Sequence, residues 1–145
     1  MEADRNKQVK FTIVIPTRER CDVLASSLRT CVCQDYGNFE IIVSDNFSQD
    51  RTREIVESFG DSRIRYINTG RRVSIAENWE FALAHIHSGY LTYLGDDDGL
   101  LPGALAELNK IINERGCEAI ACRPVLYSWP DHINEPERNV MRVPL

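Results

Sequence analysis

Three aspartates stand in a row between two glycines, Gly95-Asp96-Asp97-Asp98-Gly99, directly behind the apolar run YLTYL at residues 90–94. Adjacent carboxylates repel one another unless a cation offsets them. At the end of a strand they suit a hard divalent ion, magnesium or manganese, which takes oxygen ligands and keeps positions open for phosphates. The glycines permit tight turns and close backbone approach. A solvated acidic turn would use the same letters, since Asp-Gly is ordinary turn chemistry. The position immediately after an apolar strand favours the metal.

Other polar groups follow other apolar runs. Thr17, Arg18, Glu19 and Arg20 come after FTIVIP, and Ser44, Asp45 and Asn46 come after FEIIV. A carboxylate such as Asp45 can accept an imide N–H of the kind a uracil ring offers, or it can serve a turn near Ser48. Arg18, Arg20, Arg71 and Arg72 can pair with phosphates or stack on a base, or be solvated loop arginines. Asn78 can reach a ligand edge, whereas Trp79 fits the apolar stripe of a helix and reads as core. His85 and His87, two apart near a helix end, make a poor chelate. The Cys31-x-Cys33 pair falls on a predicted helix, where i and i+2 do not face each other, so small packing residues are the better reading.

The elements that must position these groups follow from periodicity. Residues 11–15, 39–43, 64–67 and 90–94 read as strands, and 119–122 as the start of a fifth. Residues 22–33 carry apolar side chains at Leu24, Leu28, Cys31 and Val32, one helix face. Ser48 is expected to cap a helix ending at Phe59 and Gly60. Ser74 and Glu77 form a capping box for a helix running to His87, with Ile75, Trp79, Ala82, Leu83 and Ile86 as its stripe. Pro102 suits the first turn of a helix closed by Gly116. Alternation of strands and helices predicts an α/β fold: a mostly parallel, Rossmann-like sheet with helices on both faces. In such sheets ligands bind at the carboxyl ends of the strands, where the polar groups above fall.

Bulk properties narrow the function. The net charge of −5 lacks the basic footprint of a nucleic-acid binder. No apolar run approaches the roughly 20 residues needed to cross a bilayer, and no signal peptide opens the chain. Five cysteines, an odd number, argue against a disulfide framework. There is no G-x-G-x-x-G after the first strand, no P-loop and no G-x-S-x-G, which disfavours simple dinucleotide, P-loop and esterase chemistry. A magnesium-dependent phosphotransfer domain, which also places aspartates at strand ends, stays open as an alternative, as does a non-catalytic binding module.

Taken in order, FTIVIPTRER, FEIIVSDNFSQD, VSIAENWEFALAHIHSGY and YLTYLGDDDGLLPGAL resemble the family-2 glycosyltransferases of GT-A fold over residues 10–125. The resemblance implies an enzyme (EC 2.4) that is cytoplasmic, or at the inner membrane face in the full-length protein. It would transfer a sugar, with inversion, from a UDP- or other NDP-sugar to an acceptor hydroxyl on a glycan, lipid-linked sugar or polysaccharide precursor. By that resemblance Pro16, Thr17, Arg18 and Glu19 line the nucleoside pocket and Asp45 reads the base. Asn78 lies near the donor and Asp96 sits on the ribose side. Asp97 and Asp98, within the DxD region, hold manganese or magnesium. Two departures stand out: a glycine at 95 where the commoner pattern has an acid, and S-D-N-F-S-Q-D in place of D-D-G-S-x-D. Residues 126–145 read as the irregular start of an acceptor-binding region. The catalytic base is expected beyond Leu145, and the chain reads as a truncated donor-binding half.

Overall fold

The computed structural model describes residues 7–122. The expected start of an acceptor region at 126–145 lies outside them. Strand β1 (Phe11–Thr17) is followed by helix α1 (Cys21–Val32), β2 (Phe39–Asp45), α2 (Thr52–Ser58) and β3 (Ile64–Asn68). Then come α3 (Ile75–Leu83), β4 (Tyr90–Tyr93) and α4 (Ala104–Arg115). The four strands form one sheet in the order β3-β2-β1-β4, and every pairing is parallel. The predicted α/β class with a parallel sheet is therefore the observed one.

The two central strands are short β-branched runs buried on both faces, as a covered parallel sheet requires. Ile13, Ile15, Ile41 and Val43 face a large core closed by Leu24, Leu28 and Cys31 of α1, Val56 of α2, and Leu105 and Ile112 of α4. Val14 and Ile42 face the other way, onto Ala82 of α3 with Ile67, Ile86 and Tyr93 around them. Helices thus cover both faces, three on one and α3 on the other.

Several local expectations change. Ser48 does not cap α2; that helix begins at Thr52, and Asp50 Oδ1 takes the Thr52 backbone N–H at 3.0 Å. Helix α3 has the predicted capping box at Ser74 and Glu77 but ends at Leu83. Trp79 is not core: it is 43% exposed, and Ile75 is 72% exposed. Being alone on its face, α3 has only part of its stripe over the sheet; the rest overhangs the sheet's carboxyl edge. Helix α4 starts after Gly103, whose φ of 76° lies in the left-handed region, rather than at Pro102. Residues 119–122 form no strand. Ile120 and Cys117 do pack against the core, and the Cys117 carbonyl accepts the Tyr90 hydroxyl at 2.7 Å.

Register at the start of β4 depends on one glycine. The Tyr90 N–H donates to the Lys10 carbonyl at 2.8 Å, which brings the chain at Gly89 (φ 94°) hard against Lys10. A β-carbon at 89 would stand 2.5 Å from that carbonyl oxygen, which is backbone and cannot step aside. Gly89→Ala is expected to cost about 2–3 kcal/mol, from left-handed strain and the clash together. Urea denaturation of the variant against wild type checks this.

Candidate functional site

All four strands point the same way, so their carboxyl ends share one edge, and the strand order turns back between β1 and β4. An open cleft of about 590 Å³ lies there. Pro16, Thr17 and Arg18 from the end of β1, Asn78 from α3, and Asp96 and Asp98 from the turn after β4 line it. Six of the nine residues singled out from sequence thus meet in one cavity; Glu19, Asp45 and Asp97 do not line it.

The turn after β4 is tied to β1 by side chains. Asp96 is 8% exposed, and its Oδ2 accepts the Thr17 hydroxyl at 2.8 Å. Its Oδ1 lies 3.3 Å from Arg20 Nε, and the same guanidinium reaches Asp97 Oδ2 at 2.7 Å. Burial raises the Asp96 carboxyl above the usual carboxylate range and the Asp97 charge adds to this, while the Thr17 hydroxyl and the Arg20 cation oppose it. The Gly95 carbonyl accepts the Asp98 N–H at 3.0 Å, closing a tight turn, and the Ser27 hydroxyl at 3.3 Å.

That turn folds two carboxylates onto one point. A β-carbon built on Gly95 would stand 2.6 Å from Asp98 Oδ2 and 3.1 Å from Asp97 Oδ1. Glycine is therefore required for the aspartates to lie where they do. Among the described residues no three His, Cys, Asp or Glu side chains are grouped closely enough to hold a metal ion by themselves. Two carboxylates beside an open cleft nonetheless fit magnesium or manganese, which take one or two protein carboxylates and complete their shell with water and phosphate oxygens.

Asp45 sits one strand away, paired in register with Thr17, and is 1% exposed. Its Oδ1 accepts the Ser48 N–H at 3.0 Å and the Ser48 hydroxyl at 2.6 Å; its Oδ2 accepts the Tyr66 hydroxyl and Asn68 Nδ2. Four donors fill the acceptor sites a carboxylate offers. A further N–H, such as a base would bring, needs one of them to withdraw. Burial and the Asp45 hydrogen bond together push the Tyr66 hydroxyl up to about 12. Glu19 has a left-handed φ of 56°, and its carboxylate turns from the cleft to the Gln49 N–H at 3.1 Å and Arg72 at 2.8 Å. Asn78 is buried against β2: its Nδ2 donates to the Ser44 carbonyl at 3.0 Å, and the Ser44 hydroxyl donates back to its Oδ1 at 2.8 Å.

Seven further residues line the cleft, among them Asn46, Ile75, Trp79, Tyr93 and Arg20. Asn46 clamps the loop leading into α3 through two 2.8 Å bonds with Val73. Trp79 stacks on Tyr93, centroids 4.6 Å apart and planes 16° apart, and with Ile75 makes an apolar wall opposite the acidic turn. Arg20 completes the polar side. Its place after β1 marked it as a cation near the site. Helical periodicity placed Trp79 on an inward stripe and hid its part in the wall.

The glycosyl transferase family 2 model matches residues 12–144. A GalNAc(5)-diNAcBac-PP-undecaprenol β-1,3-glucosyltransferase of Campylobacter jejuni is 34% identical over 108 residues, covering 72% of this chain and 35% of the relative. The UDP-Glc:α-D-GlcNAc-diphosphoundecaprenol β-1,3-glucosyltransferase WfgD of Escherichia coli is 29% identical over 87 residues, covering 60% and 34%. In structure the chain resembles Staphylococcus aureus TarS 1–349, with a TM-score of 0.70 and 22% identity, covering 74% of this chain and 33% of that one. It also resembles the Pyrobaculum calidifontis mannosyltransferase solved with GDP-mannose and Mn2+, with a TM-score of 0.62, 21% identity and coverage of 76% and 33%. The chain spans about a third of the length of these relatives. With a parallel sheet, an acidic turn at its carboxyl edge and a family model matched along nearly all of its length, the chain belongs to glycosyl transferase family 2.

Proposed function

We propose that these residues form the donor-binding part of a metal-dependent, inverting glycosyltransferase. The donor is a UDP-sugar, by analogy with WfgD, whose name gives UDP-glucose. The acceptor is a lipid-linked sugar, as in both named glucosyltransferases. Family membership sets aside the phosphotransfer alternative. Action at the inner face of the membrane fits such an acceptor, and among the described residues no helix is long and apolar enough to cross a membrane.

One observation carries the reading: Asp98 Oδ2 and Asp97 Oδ1 stand 2.6 Å and 3.1 Å from the point where a Gly95 β-carbon would lie, and Gly95 and Asp98 line the cleft. In the reaction an acceptor hydroxyl oxygen attacks the anomeric carbon, the bond from that carbon to the diphosphate oxygen breaks, and the hydroxyl proton goes to a base. A divalent cation, when bound, supplies positive charge against the departing diphosphate. Asp97 and Asp98 would hold it. Thr17 and Arg20 fix Asp96 at the sugar end of the nucleoside, and Arg18 lies free to approach the base or its phosphates. Trp79, Tyr93 and Ile75 give the cleft an apolar part of its lining. Asp45 fixes the loops that frame the base, and contacts the base itself if a partner such as Ser48 withdraws. Our reading puts the base in the part of the relatives' length that this chain does not span.

The chain is expected to bind UDP with manganese and to transfer little or no sugar. Calorimetry tests this: UDP should bind with manganese and lose most of its heat in EDTA, and Asp98→Asn should weaken manganese-dependent binding about tenfold or more. Binding indifferent to metal would defeat the reading. Gly95→Ala should leave the melting temperature near that of wild type, because Asp98 is a flexible side chain, yet weaken manganese binding by displacing that carboxylate; electron paramagnetic resonance of Mn2+ measures it. Asp45→Asn should cost about 1–3 kcal/mol, since an amide NH2 then faces donors where an acceptor stood; thermal denaturation in the absence of ligand reads it.

A further inference from the structure

The two carboxylates that our functional reading assigns to the cation are not equally available. Among the described residues no ion pair engages Asp98, which lines the cleft. Asp97 is held by Arg20 at 2.7 Å, and the same guanidinium lies 3.3 Å from Asp96. The bridge spans two loops that are distant in sequence, the one after β1 and the one after β4.

The arginine is fixed at its root and exposed along its side chain. Its carbonyl accepts the Leu24 N–H at 3.1 Å at the start of α1, so its backbone is part of the helix entry. Its side chain is 46% exposed and that of Asp97 is 52% exposed, so the ion pair between them is open to solvent. Pairs of this kind are weak and break readily. Asp96 has a second hold, the Thr17 hydroxyl, and does not depend on the arginine alone.

A guanidinium and a divalent cation repel each other and compete for the same oxygen. We propose that Arg20 is a built-in counter-cation, which holds the acidic turn in its ligand-free shape and surrenders Asp97 to an incoming divalent ion. Its freed fork then turns to the diphosphate that arrives with the ion. A planar guanidinium suits phosphate oxygens in two-point contact. Arg20 is thus a positioning residue that couples the two ligands. Metal binding alone must break the bridge without a new partner for the arginine. With nucleotide present the arginine gains one, so each ligand tightens the other by the same factor. The inference rests on the reading that Asp97 and Asp98 hold a cation.

The full chain, its Arg20→Gln variant and its Arg20→Lys variant are titrated with Mn2+ alone and with saturating UDP, followed by electron paramagnetic resonance, with circular dichroism to verify folding. Removing the charge should lower the metal-free melting temperature by about 2–4 °C. It should also tighten Mn2+ alone about fivefold, and shrink the extra tightening that UDP gives. A purely structural arginine would instead weaken Mn2+ binding along with stability. Arg20→Lys keeps the charge without the fork, so it should fold, bind Mn2+ alone as weakly as wild type and still lose part of the UDP effect. If wild type binds Mn2+ and Arg20→Gln binds no more tightly, or the UDP effect is unchanged in it, this proposal falls and the cation reading stands. If neither protein binds Mn2+, the cation reading falls and takes this proposal with it.

Discussion

Negative charge gathered at one turn is the constraint around which this fold is arranged. Two like charges roughly 5 Å apart cost about 1 kcal/mol in water and about 3 kcal/mol at an effective dielectric near 20, and here a buried Asp96 stands beside the exposed Asp97 and Asp98. Each has a different answer. Asp96 receives a hydroxyl and a guanidinium, Asp97 shares that guanidinium, and Asp98 turns back into the space left by a side-chain-free Gly95. Two of these answers come from the end of β1 and the loop after it. They are available because β4 pairs with β1 and not with β3, its predecessor in sequence. The crossover through α3 is what carries the chain to that side.

The same crossover gives the cleft its two unlike walls. Helix α3 is pinned to β2 through Asn78 and Ser44, and to β4 through the Tyr93 hydroxyl on the Trp79 carbonyl at 2.9 Å. Pinned at those points, it presents Ile75 and Trp79 at the carboxyl edge, opposite the acidic turn. An apolar face and a charged face across one opening suit a ligand with a ring at one end and phosphates at the other. Sealing either face for stability would close the opening. The small second core sets Ala82 of α3 on Val14 and Ile42 of the sheet, while Ile75 and Trp79 of the same stripe line the cleft.

Most of the fold could be read from periodicity because the central strands are buried on both faces and so lack polar interruption. The capping box at Ser74 and Glu77 was legible for a similar reason: donor and acceptor lie three residues apart in one segment. What failed to show depends on partners distant in the chain. Ser48 has the letters of a cap but bonds Asp45 and the Glu19 N–H, because β1 and β2 end side by side. Trp79 keeps helical spacing, yet spacing says nothing about where the sheet beneath it stops. Residues 119–122 have strand composition, but the Tyr90 hydroxyl holds Cys117 beside the sheet and that segment does not join it. Of the cleft's lining, Asp96, Asp98 and Arg18 could be named from sequence. The filling of Asp45 by Tyr66 and Asn68, from the neighbouring strand, could not.

Gly95 shows how far a departure from a motif can mislead when letters are compared position by position. A glycine where the D-x-D-D pattern expects an acid looks like the loss of a ligand. In three dimensions the Asp98 carboxylate stands 2.6 Å from where the missing side chain would begin. An acid at 95 and Asp98 in its present place therefore exclude each other. A side chain at 95 would push the Asp98 carboxylate aside, and with it the oxygen nearest the cleft turn. Gly95 is thus the residue whose lack of a side chain leaves Asp98 its place.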